Sequence, residues 1–183
     1  MCSRLVRLFL LLLGISLLNS CGGFHLRGVV SLPKELQTLY LKNEMSSAQF
    51  TEVLRKSLQV YKVNVVRDPR QAPIALHIIN TKLNKDASIL SNNSQIQQYT
   101  LSFTVQYQLL SQNGQVIVPI QSVKSSTTLQ VHKSKMMTDF NNLAARYLPG
   151  LQRDAASRIM ESLLANNNRT ALTQYMQKSN NIT

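Results

Sequence analysis

From Tyr99 to Leu109 apolar and polar residues alternate without exception. Tyr99, Leu101, Phe103, Val105, Tyr107 and Leu109 interleave with Thr100, Ser102, Thr104, Gln106 and Gln108. A period of two with uncharged polar partners predicts a strand packed on one face and wet on the other. Ser111-Gln112-Asn113-Gly114 then predicts a hairpin, since Asn-Gly favours the positive φ angles of a tight turn. The return strand begins with Val116, Val118 and Ile120 and resumes with Val123, Leu129 and Val131. Its apolar phase slips between Ile120 and Val123, which predicts a bulge near Pro119.

Upstream, Leu36 to Lys42 is apolar-rich and bounded by Pro33 and Asn43, the signature of a first strand. Ser46 with Gln49 predicts a capping box, and Met45 a staple to Phe50. Phe50, Val53, Leu54 and Leu58 then follow the spacing of one buried helix face. Tyr61 to Val66 is β-prone and leads into a turn at Arg67-Asp68-Pro69-Arg70. Ile74 to Leu83 reads as a second main strand, and the polar stretch Asn84 to Gln95 as a connection. From Asp139 the period becomes helical through Leu148, Leu151, Ala155, Ile159 and Leu163, with Pro149-Gly150 expected to break or kink it. Asn166 to Asn168 is expected to end that helix, and residues 169–183 to form a polar, disordered tail. The expected fold is α+β, a mostly antiparallel sheet of about four strands with two helices on one face.

The first twenty residues read as an address. Arg4 and Arg7 precede the apolar run Leu8 to Leu18, too short for a spanning helix and of the right length for a signal-peptide core. Leu18-Asn19-Ser20-Cys21 resembles the lipobox of bacterial lipoproteins, in which cleavage precedes a cysteine that is lipidated. The chain has two cysteines, and Cys2 lies in the segment that would be removed, so Cys21 has no disulfide partner. A lipid anchor at Cys21 would hold the domain 21–168 to a bilayer. Gly22 stands where inner-membrane-retained lipoproteins of enteric bacteria usually carry Asp, which points to the outer membrane, periplasmic side.

Composition narrows the chemistry. The formal net charge of +12 arises from scarce acids, eight Asp and Glu against twenty Lys and Arg. The only adjacent basic pair is Arg55-Lys56, so an extended polybasic arm for nucleic acid is not expected. The three histidines are scattered, with no metal spacing and no phosphate loop, nucleophile elbow or paired carboxylates. His77 reads as a packed strand residue. No cofactor is expected, and an enzyme is the weaker hypothesis.

Cys21-Gly22-Gly23-Phe24-His25-Leu26-Arg27-Gly28 resembles the mature N-terminus of the LptE family of lipopolysaccharide-assembly lipoproteins, with one extra Gly that lengthens the tether. Lys85-Asp86-Ala87-Ser88 and Arg153-Asp154-Ala155-Ala156 also match. The resemblance implies a non-catalytic protein that plugs and helps assemble the LptD β-barrel and binds lipopolysaccharide on its way to the outer leaflet. It gives the wet face from Thr100 to Gln108 a use, because hydroxyls and amides can meet a polar barrel interior without burying charge. The family's contacts to lipid A phosphates are basic loop residues. One such position falls near Asn92, and Lys82 and Lys85, or Lys133 and Lys135, are the candidates to replace it. Competing readings are another outer-membrane lipoprotein, acting as lipid carrier or activator of a peptidoglycan synthase, and a hydrolase with a dispersed site. A carrier requires an enclosed apolar cavity, and a plug a filled core with a polar outer face.

Overall fold

Leu39 and Leu41 point one way from Thr38–Asn43 (β1), and Phe50, Leu54 and Leu58 line one stripe of Ala48–Val60 (α1). Burying both sets against each other starts the core, and the computed structural model shows how the rest joins it. It describes residues 32–44, 47–88, 96–132 and 136–180, all within the compact unit Ser31–Thr183. The helix cap falls one residue later than expected: the Ser47 hydroxyl accepts from the Phe50 N–H at 3.1 Å, so Gln49 is not the reciprocal partner. Met45 and Ser46, and with them the staple, lie outside the described residues.

The remaining elements are Asn64–Val66 (β2), Ile74–Ser88 (β3), Ile96–Ser111 (β4), Val116–His132 (β5), Met136–Leu164 (α2) and Asn166–Asn180 (α3). The five strands form one sheet in the order β2-β1-β3-β4-β5. The α+β class holds, with one strand and one helix more among the described residues than expected. The sheet is mixed, because β1 runs parallel to both β2 and β3, while β3, β4 and β5 form long antiparallel ladders. The parallel part follows from connectivity: α1 carries the chain back to the starting end before β2, and residues 67–73 carry it back again before β3. β2, only three residues long, has too little pattern of its own to declare its direction.

Three expectations are corrected. β3 continues through Asn84–Ser88, read as a connection, because those residues pair with Gln98 to Ser102 of β4. α2 runs through Pro149 without a break. Leu143, Ala144 and Leu148 before it and Leu151, Ala155 and Ile159 after it pack into the same core, which outweighs the lost backbone bond. The tail expected to be disordered is helical from Asn166 to Asn180, with Leu172 buried.

The hairpin and its bulge are as expected, with a different turn. Gly114 has φ +80 and its N–H bonds the Ser111 carbonyl, whereas Asn113 has no positive φ. In β5 the register passes from Val118↔Leu109 to Gln121↔Tyr107, so Pro119 and Ile120 form the bulge on an edge strand. All odd residues from Tyr99 to Leu109 are buried beneath the helices, with Phe50 and Phe103 rings 5.3 Å apart.

Candidate functional site

The even residues of β4 lie on the sheet face opposite the helices. Register builds rows across it: Asn84–Ser102–Ser126, Lys82–Thr104–Lys124 and Asn80–Gln106–Ser122. The middle row sets two lysines of adjoining strands on either side of one threonine, about 10 Å apart at their Cα atoms. Both are exposed, and neither makes an ion pair among the described residues. A shallow depression of about 240 Å³ is lined by Asn80, Lys82, Asn84, Thr104 and Gln106. The Ser102 side chain is fully buried, and its hydroxyl has no hydrogen-bond partner among the described residues. Point charges flanked by amides and hydroxyls suit phosphate and sugar oxygens, or a polar protein wall.

Further along the same face His77 is buried between Gln108 and Glu44. The Gln108 amide Nε2 stands 3.0 Å from His77 Nδ1, which makes Nδ1 the acceptor and places the ring proton on Nε2. Nε2 lies 3.3 Å from Glu44 Oε2, close enough for charge but not aligned as a hydrogen bond. Lys42 reaches the same carboxylate at 2.7 Å, and this hydrogen bond holds the Glu44 carboxyl below its ordinary range, opposed by desolvation and helped by the neighbouring His77 ring. The cluster seals one end of the face with internal partners, consistent with a packed histidine.

The structure separates the candidate lysines. Lys82 sits on the polar face, but Lys85 belongs to the opposite register set and its Nζ stands 5.5 Å over the Tyr99 ring. Lys133, Lys135, Asn92 and Cys21 lie outside the described residues. Lys124 was missed. Only the hairpin register, with the bulge placed, shows that it shares a row with Lys82. Among the described residues no cluster of metal-binding side chains forms, and no helix is long and apolar enough to cross a membrane.

Comparison with known families decides the class. The model of the lipopolysaccharide-assembly family LptE matches residues 36–179, which takes in all five strands, α1, α2 and all but the last residue of α3. The chain belongs to the LptE family. It is 36% identical to the LPS-assembly lipoprotein LptE of Yersinia enterocolitica over 117 residues, 63% of this chain and 56% of that protein. It is 26% identical to the LptE of Pectobacterium atrosepticum over 179 residues, 97% of this chain and 96% of the relative. Among solved structures, lipoprotein B of Nitrosomonas europaea shares the fold with a TM-score of 0.62 at 19% identity, covering 80% of this chain and 93% of that one. A minor lipoprotein of Acinetobacter baumannii does so with a TM-score of 0.57 at 17% identity, covering 72% and 93%. LptE membership is carried by the family match, and the solved structures support the architecture.

Proposed function

We propose that this LptE-family chain is a non-catalytic lipopolysaccharide-assembly lipoprotein of the outer membrane. Twenty residues of signal peptide are removed, Cys21 carries the lipid anchor, and the domain plugs and helps assemble an LptD-like β-barrel while engaging lipopolysaccharide. The observation that carries the reading is the sheet face opposite the described helices: hydroxyls and amides with the Lys82–Thr104–Lys124 row at its centre. The hydroxyls and amides of this face meet a polar lumen or a saccharide at low desolvation cost, and the two lysines supply charge toward phosphate. Lys82 and Lys124 are the proposed phosphate contacts on the sheet. Lys85, Lys133 and Lys135 remain candidates.

The test is site-specific photocrosslinking in the outer membrane of the source cell. A crosslinker at Gln106 on the polar face should capture a large barrel protein or lipopolysaccharide, and one at Arg153 on the exposed side of α2 should capture neither. Equal capture from both positions, or purification of the anchored chain alone under mild detergent, would reject the plug reading.

A further inference from the structure

Three of the six large apolar side chains left exposed in the described residues are Val60 at 80%, Tyr61 at 39% and Val116 at 58%. They belong to one end of the sheet. There β2 begins beside Thr38, β3 begins beside Leu39, and the Ser111–Gln115 turn is tied back to the Pro73 and Arg70 carbonyls by Gln112. This rim is about 19 Å wide, four strand spacings.

The corner holding Val60 and Tyr61 is built under strain. α1 ends in a Schellman motif: the Val63 N–H bonds the Leu58 carbonyl and the Lys62 N–H bonds the Gln59 carbonyl. The position between them demands the left-handed region, and Lys62 occupies it with φ 59 where glycine is the residue of least cost. A lysine placed there projects a charge from the corner. Lys34 and Arg70 flank it, against only Glu35 and Asp68, and Asp68 is occupied by Arg70 at 3.2 Å.

The chain also enters the domain at this rim. Leu32 leads into the Lys34–Leu36 turn, and the Gln37 carbonyl accepts from the Asn64 N–H at 2.7 Å. Ten residues separate Leu32 from Cys21, a reach of at most about 36–40 Å. A lipidated Cys21 therefore keeps this rim within reach of the bilayer that holds the anchor.

We propose that the rim made by Val60, Tyr61, Lys62 and Val116 docks on the surface of an anionic phospholipid bilayer, apolar side chains entering the headgroup region and cations meeting lipid phosphates. A single acyl-type anchor leaves orientation free, and the rim supplies a second contact that fixes which end faces the lipid. The inference rests on Cys21 carrying the anchor and is independent of what the polar sheet face binds.

The chain has no tryptophan, which makes the test direct. The full lipidated chain carrying Val60→Trp is inserted into vesicles of phosphatidylethanolamine and phosphatidylglycerol with brominated acyl chains. Tyr147→Trp, exposed on α2 about 22 Å along the helix from Ser162 near its C-terminal end, serves as the second site. The expected result is blue-shifted, strongly quenched emission at position 60 and unquenched emission at position 147, with quenching at 60 falling at least about threefold in high salt. Adding Lys62→Gly to Val60→Trp should raise the melting temperature by about 2–4 °C while weakening quenching, opposite signs that a merely structural lysine would not show. Equal quenching at both sites, none at either, or unchanged quenching with Lys62→Gly overturns the proposal. A chain that fails to float with vesicles overturns its premise at Cys21 instead.

Discussion

Gln121 shows how one residue can set the position of an element. Its Oε1 accepts from the Tyr107 hydroxyl at 2.8 Å, the Ser162 hydroxyl at 2.8 Å and the Asn168 amide at 3.2 Å, while its Nε2 donates to Asn168 Oδ1 at 2.9 Å. The bulge at Pro119–Ile120 turns Gln121 toward the helices, where it joins β5 to α2 and α3. Gln121→Leu leaves the part-buried Tyr107 and Ser162 hydroxyls without their acceptor, while the Asn168 amide keeps the Ser162 carbonyl, and should lower unfolding free energy by about 2–4 kcal/mol in urea denaturation; a loss under about 0.5 kcal/mol would reject the network as a source of stability. Burial holds the Tyr107 phenol above its ordinary value of 10.0. A raised acid favours the neutral folded form, so its contribution is intact below pH 10.0 and is lost as pH rises toward and through its folded value. Asp154 runs the other way: the Ser125 hydroxyl first, then Arg158, hold its carboxyl below 3.8. Its stabilisation is present above pH 3.8 and disappears as pH falls through the folded value. Tyr107→Phe should flatten the alkaline limb of the pH–stability curve and Ser125→Ala the acid limb. None of these pairings was legible in the sequence, because each joins residues that only the bulge and the helix junction bring together.

Among elements, those with long, regular periods were legible and those defined by their neighbours were not. The β4 alternation, the hairpin and the bulge were all visible because each is encoded within its own segment. β2 and the Asn84–Ser88 extension of β3 are strands only by virtue of the partners they pair with. α2 shows tertiary packing overriding a local breaker at Pro149-Gly150. Gly150 lies in helical backbone, and a Cβ there would meet nothing within 4 Å. Gly150→Ala should therefore stabilise the protein by about 0.5–1 kcal/mol, seen as a higher melting temperature. α3 is polar over most of its length and reads as a tail, but Leu172 and Asn168 are buried. Leu172→Ala should cost about 2–4 kcal/mol. If its melting curve overlays that of the parent chain, α3 adds nothing to the folded core.

At the scale of the molecule, the described helices cover one face of the sheet, and the scarcity of acids becomes a property of the other. The polar face carries Lys82 and Lys124 near its centre, with Asp86 four residues along β3 from Lys82 and Glu44 already bound by Lys42. The surface was legible as a wet strand face, and the lysine row was not, because it needs three strands in register. If the row holds a phosphate of lipopolysaccharide, the two cations act together: each alone is a weak, solvated point charge, and a shared dianion couples them. Lys82→Ala and Lys124→Ala should each weaken binding to immobilised lipopolysaccharide by about threefold, and the double variant by more than about tenfold, or some 1.4 kcal/mol. Both lysines are exposed, so the melting temperature should not move. Raising salt should erase the difference between parent and double variant, since what was removed is Coulombic. A double variant that binds like its parent at low salt assigns the row to the barrel wall, where the same two charges would instead be detected as weaker retention of the barrel partner in detergent.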